Sequence, residues 1–333
     1  MVRKDIRIII IMLIFSLIII FSTPIVIFSI SLSSYGRIDE SLQFYYNSSS
    51  PSFLNELNID IDIGEVEIEY ITDPISYCAK IDINIEMIGR GLVGKSHIDY
   101  FDILWQNTST IVNFTMELKK GIKQGDILSL IKNVDIIVAL KADVLYDINT
   151  MVDIRGSSKA TIPLGVSVGN IITNLMKGNI QYDFFYCILE GNISGIIQNT
   201  GDIKVRSYDV EYTQNCNWSL YTNDGDVYIE ISQNKATNAN VTGNITIITG
   251  NYLLTYRDNT AEVGAYFILH VHPDDYAINQ KIAELIGFAY NVIAVNGTDV
   301  YHITSDDYPS LYNYHWMFNF PIGIYEELEL HNY

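Results

Sequence analysis

Three observations predict an all-β chain carried on a single N-terminal membrane helix. Ile8–Leu32, near the start, carries no charge. From Leu57 onward, aliphatic and polar residues alternate with a period of two. After Asp153 a glycine, a short polar residue and an aliphatic recur at a near-constant interval. The first pattern predicts a bilayer-spanning helix, the second half-buried strands and the third a stacked β-repeat.

Composition narrows the function classes. The 333 residues include 20 basic and 39 acidic ones, for a net charge of −19. Nucleic-acid binding needs a basic face that displaces phosphate counterions, so no nucleic-acid partner is expected. The chain is 48% hydrophobic, which excludes general disorder. Three cysteines are too few for a disulfide scaffold.

The span Ile8–Leu32, at about 1.5 Å per residue, exceeds the roughly 30 Å of a bilayer core. Arg3, Lys4 and Arg7 precede it against one acid, Asp5. By the positive-inside rule, residues 1–7 form a cytoplasmic tail and everything after Leu32 is extracellular. A cleavable signal peptide is the competing reading. Its apolar core would be about 7–15 residues long, and it would end in a small-x-small site, which Ser31–Ser34 does not supply. The lipid bilayer is therefore the first expected partner, through residues 8–32, with the protein in the cell membrane.

Asn-x-Ser/Thr sequons occur at Asn47, Asn107, Asn113, Asn192, Asn217, Asn240, Asn244 and Asn296, all beyond the span. That is about twice the chance number for such an Asn-rich chain and predicts N-glycosylation of an exported protein.

Residues 33–56 show no clean period and read as a stalk. Over 57–150, Ile59, Ile61 and Ile63 interleave with Asp60 and Asp62, and Ile81, Ile83 and Ile85 with Asp82, Asn84 and Glu86. Such alternation predicts mainly antiparallel strands, with 121–133 a loop or one short helix. Over 151–256, Gly156, Gly178, Gly201, Gly225 and Gly243 mark repeat turns at intervals of 22, 23, 24 and 18 residues. Glycine suits turns of positive φ, and a repeat this short must stack to bury its apolar side. The prediction is a short β-solenoid or β-roll, with a β-sandwich of repetitive hairpins as the alternative. The aromatic-rich segment 257–333 should close it as a β cap, with a short helix over DDYAINQKIAEL.

The repeats carry a resemblance. Gly201-Asp-Ile-Lys-Val and Asp224-Gly-Asp-Val-Tyr-Ile are similar to the adhesin-like family known as DUF4097. The resemblance implies an exported or anchored β-solenoid, adhesion and no catalytic residues. The arrangement also resembles Ile- and Asn-rich archaeal surface proteins.

The remaining chemistry is sparse. His270 and His272 sit two apart, as on one side of a strand, and would need a third ligand such as His302 or His315 to hold a metal. Asp224, Asp226, Asp306 and Asp307 could contribute oxygens to Ca²⁺, but no full ligand loop accompanies them. No other cofactor is expected. Gly89-Arg-Gly91-Leu-Val-Gly94 lacks the βαβ setting of a dinucleotide site and reads as a tight turn. Paired carboxylates could serve an anchored carbohydrate-active enzyme. With 39 acids such pairs arise by number alone, so the expectation is a non-enzymatic adhesin or envelope scaffold. The alternatives are that enzyme and a calcium-dependent binding module. Extracellular glycans or surface proteins are the expected partners. Cys187 and Cys216 could bond across neighbouring coils, or all three thiols could be core residues.

Overall fold

A computed structural model describes residues 35–47, 55–73, 76–108, 110–233, 239–258, 263–271, 288–295, 298–305, 312–319 and 326–332. The expected span, Ile8–Leu32, lies outside them. Among the described residues no helix is long and apolar enough to cross a membrane.

The chain divides into two compact units. One comprises residues up to 41, 84–101 and 119–134. It holds a 3₁₀ turn, His97–Asp99, and the helix α1, Gln124–Leu128, which settles the ambiguous 121–133 stretch. The second unit takes in the other described residues, which are mostly strand.

The early strands are β1 (Tyr35–Tyr46), β2 (Asn55–Ile71), β3 (Ala79–Arg90), β4 (Phe101–Asn107), β5 (Ile111–Leu118), β6 (Ile131–Lys141) and β7 (Tyr146–Ile162). β1 falls within the stretch read as stalk. β1 pairs with β3, and β3 with β6. β2 pairs in parallel with β5 and β6 on one side and with β7 on the other. This corrects the expectation of mainly antiparallel strands over 57–150. Alternation reports that one side of a strand is buried and the other wet, and parallel coils with one solvated face satisfy that equally well.

From β7 the chain winds in coils, each adding two or three strands. The first adds β8 (Ser167–Val168), β9 (Ile171–Leu175) and β10 (Ile180–Phe185); the second β11 (Ile188–Leu189), β12 (Ile193–Thr200) and β13 (Ile203–Tyr208). Next come β14 (Glu211–Tyr212), β15 (Cys216–Asp224) and β16 (Val227–Ser232), then β17 (Ala239–Thr249) and β18 (Tyr252–Asp258). All pair in parallel with their counterparts one coil away, forming three faces. We call these the A face (β7, β9, β12, β15, β17), the B face (β7, β10, β13, β16, β18) and the short C face (β8, β11, β14).

The last strands are β19 (Val263–Val271), β20 (Phe288–Val295), β21 (Thr298–Ser305), β22 (Tyr312–Asn319) and β23 (Glu326–Asn332). β22 and β23 extend the A and B faces in parallel, and β19 pairs in parallel with β22. β21 pairs antiparallel with both β19 and β20. The helix expected over DDYAINQKIAEL lies outside the described residues.

Between the A and B faces runs a column of glycines. A Cβ on Gly156 would lie 1.8 Å from Gly64 O, on Gly178 1.4 Å from Gly156 O, and on Gly201 1.7 Å from Gly178 O. On Gly225 and Gly250 it would lie 2.1 and 2.0 Å from the preceding glycine's oxygen. Only glycine allows such an approach. Gly243, expected in this column, instead lies within β17 in register with Trp218. The corner position belongs to Gly250, so the intervals from Gly156 onward are 22, 23, 24 and 25 residues. Gly250-Asn-Tyr escaped the sequence pattern because an aromatic replaces the aliphatic.

Inside the coils, side chains stack by type. Ile68, Ala160, Tyr182, Val205, Ile229 and Leu254 share one inward column of the B face, each buried. Trp218, Tyr146, Tyr182 and Phe184 are among the largest fully buried side chains.

Candidate functional site

Two columns of Asn and Asp flank the faces. Following the corner glycines, Asn179 Oδ1 accepts the Asp202 N–H at 3.0 Å, Asp202 Oδ1 the Asp226 N–H at 2.8 Å and Asp226 Oδ1 the Asn251 N–H at 2.8 Å. Entering the A face, Asp147 Oδ1 accepts the Asn170 N–H, Asn170 Oδ1 the Asn192 N–H and Asn192 Oδ1 the Asn217 N–H, at 2.6, 2.9 and 2.8 Å. Each side chain thus satisfies a backbone donor at a corner, where the sheet ladder is interrupted. Sequence reasoning missed these columns, although Asx residues 22–25 apart were the signal.

Of the candidate calcium residues, Asp226 is engaged in this frame. Asp226 also accepts from the Tyr228 hydroxyl at 2.8 Å. Among the described residues no group of three or more His, Cys, Asp or Glu converges as a metal set. His270 lies on β19, in register with Asn319 and Val300, while His272, Asp306 and Asp307 lie outside the described residues.

On the B face, Asp183 is 3% exposed and takes a two-point contact from Arg206: Nε to Oδ1 at 2.6 Å and Nη2 to Oδ2 at 2.7 Å. The hydrogen bond to Asp183 raises the Arg206 pKa above its ordinary value. Arg206 also lies 5.8 Å from the Phe185 ring centre, and Phe185 stacks on Tyr208 at 5.3 Å. These two rings cover each other's faces, so they are not an open stacking platform for a sugar.

Asp60 is the carboxylate on the A face whose pKa stands above the usual range, through burial and then the charges of Asp153, Glu117 and Asp62. A raised folded-state value means that ionisation opposes folding. The favourable contribution is complete below the ordinary carboxylate pKa and lost as pH rises through the folded value. Asp60→Asn should therefore raise stability at pH 7, by less than about 1 kcal/mol because solvent screens the site. Denaturant titrations at pH 7 and about pH 3 check it; the gain should vanish at the lower pH.

Cys78, Cys187 and Cys216 are buried free thiols, so the Cys187–Cys216 bond does not form. Cys216 donates to Gly191 O at 3.1 Å, and burial pushes its pKa up to about 12. A thiol reagent at pH 8 should label none of the three in the native chain and all three after unfolding; rapid native labelling of Cys216 would contradict this placement.

Of the sequons, Asn217 and Asn244 lie on A-face strands, Asn113 on the strand that extends them, β5, and Asn192 immediately before β12. Asn47 and Asn107 are exposed at the ends of β1 and β4. Asn240 lies on the β17 backbone, and Asn296 is outside the described residues. Asn58 donates to Asn113 Oδ1 at 2.9 Å, and Asn149 donates to Asn58 Oδ1 at 2.8 Å.

No protein-family model and no curated protein matches the chain. Among solved structures, the chain is similar to a "putative cell adhesion protein" from Clostridium sporogenes. That match has 9% identity, covers 89% of this chain and all of the other, and has a TM-score of 0.27. It is also similar to a "putative adhesin" from Bacteroides fragilis, at 7% identity over 88% of this chain and 97% of the other, with a TM-score of 0.33. A third, a "putative adhesin" from Parabacteroides distasonis, is 14% identical over 67% of this chain and 90% of its own, with a TM-score of 0.22. All three are bacterial, and none supports the archaeal likeness expected from the sequence.

Proposed function

We propose that the chain is a membrane-anchored, extracellular β-solenoid that serves adhesion or envelope structure without catalysis. The observation that carries this reading is the use made of the repeat carboxylates. Asp147, Asp202 and Asp226 each hold a backbone N–H at a corner, and Asp183 is locked to Arg206. Hydrolytic or lyase chemistry gathers carboxylates in a concave site with displaced pKa values, and Asp60 beside Asp62, Glu117 and Asp153 is the cluster on which the activity test bears. The coils present long faces of regularly spaced side chains, which suit contact with an extended surface partner.

The anchor and the orientation rest on the uncharged Ile8–Leu32 stretch and its basic N-terminal flank. Protease added to intact cells should remove the bulk of the chain and leave a small membrane-protected N-terminal fragment. A C-terminal epitope that survives until lysis would reverse the orientation. The non-catalytic reading is tested with the full chain on surface polysaccharides and peptides, with and without Ca²⁺ and Zn²⁺. Turnover abolished by replacing one close carboxylate pair would promote the enzyme instead.

A further inference from the structure

The A and B faces differ in kind. Along β9, β12, β15 and β17, from Asn170 to Ile248, the outward positions of the A face are Asn, Ser, Thr, Gln, Ile, Met and Tyr, with one exposed carboxylate, Asp224, at the end of β15, in a chain of net charge −19. The B face over the same coils carries Asp183, Lys204, Arg206, Glu230 and Arg257. Over these coils the A face therefore carries little charge, and it leaves apolar side chains in solvent. Ile172 is 37% exposed and Ile248 59%.

The sequons fall on this face. Asn192, Asn217 and Asn244 are exposed A-face residues, and no sequon lies on β10, β13, β16 or β18. In an extended strand, residues i and i+2 share a face. The hydroxyl partners Ser194, Ser219 and Thr246 therefore lie on the same face as their asparagines. The corner ladder uses the Asn192 side-chain oxygen, at 2.8 Å from the Asn217 N–H. An N-linked sugar attaches through the amide nitrogen, so the ladder and a glycan can share this side chain.

We infer that the A face is the glycan-bearing side of the protein, modified at Asn192, Asn217 and Asn244. This rests on the reading of an exported, glycosylated chain and adds which surface the sugars occupy. The attached sugars hydrate the apolar side chains of this sparsely charged face and block homotypic contact across it.

The experiment is site-by-site glycopeptide mass spectrometry on the full chain taken from the cells that make it. The expected result is glycan at all three asparagines, with the Asn192→Gln/Asn217→Gln/Asn244→Gln variant lighter by three glycans on an intact-mass measurement. Glycan confined to Asn47 or Asn107 overturns the face assignment and leaves the export reading standing. A chain with no glycan anywhere overturns both. Bare A-face strands together with a monomer–dimer equilibrium abolished by Ser219→Lys would give the face to a second copy of the chain, and so would also overturn the assignment.

Discussion

Gly178→Ala is expected to destabilise the stack by about 3 kcal/mol or more. Gly178 has φ +133, which L side chains rarely adopt, and its added methyl would lie 1.4 Å from the Gly156 carbonyl oxygen. The obstacle is backbone of the next coil, so no side-chain rotation relieves it. The two coils must separate at this corner, with loss of the Gly156 N–H to Lys177 O and Gly178 N–H to Thr200 O bonds, 2.9 and 3.0 Å long. Denaturant unfolding followed by the buried Trp218 measures the loss. Gly125→Ala is the control: nothing lies within 4 Å of its added Cβ, and its stability should stay within about 0.5 kcal/mol of the parent. Equal stability of the two variants would mean that the corner column is not closely stacked.

The second large effect is expected from Arg206→Leu, about 3 kcal/mol of destabilisation. Asp183 is 3% exposed, and Arg206 supplies both of its charge-assisted contacts from one coil away. Without the guanidinium, a buried carboxylate keeps only the Gln181 amide, at 2.6 Å. Asp183→Leu combined with Arg206→Leu should recover most of the loss, because the uncompensated charge goes with its partner. A double variant as unstable as the single one would place the loss in Arg206 packing over Phe185 rather than in the ion pair.

Strand existence was readable from alternation because a side-chain period of two is local. Strand direction was not. Ile59, Ile61 and Ile63 point inward whether the neighbour of β2 runs parallel or antiparallel, and half-solvated alternation is the usual mark of an antiparallel sheet. The real partners of β2 lie 55 and 91 residues away, as Asn58 with Asn113 and with Asn149. β1 went unread because its apolar alternation, Ile38, Leu42, Phe44 and Tyr46, is broken at Glu40 and half of it is aromatic. Gly178, Gly201 and Gly225 were legible because a positive-φ glycine followed by Asn or Asp marks a corner locally, whereas Gly156, expected as a turn, lies inside β7 and is required by the close approach of Gly64 O. Gly243 was misplaced because Gly-Asn-Ile occurs in a strand as well as at a corner. The Asp183–Arg206 pair spans 23 residues, and only the coil length makes those two positions neighbours. Sequons are fully local motifs, yet the face that gathers them appears only once the coils are stacked.

The corner glycines of successive coils are 22, 23, 24 and 25 residues apart. A chain descended from uniform duplication of one coil, and kept uniform, would hold interchangeable parts. Here each unit is longer by one residue than the unit before it, so position in the stack is written into length. Cutting out residues 201–224 would set a 23-residue coil directly against a 25-residue one, so that neighbours differ by two residues where the fold accommodates one, even with the glycine corner rejoined. The coils are therefore not spare copies of one another: their order is a part of the fold's information, and recombination that shuffles them would be selected against even where each coil, taken singly, is sound.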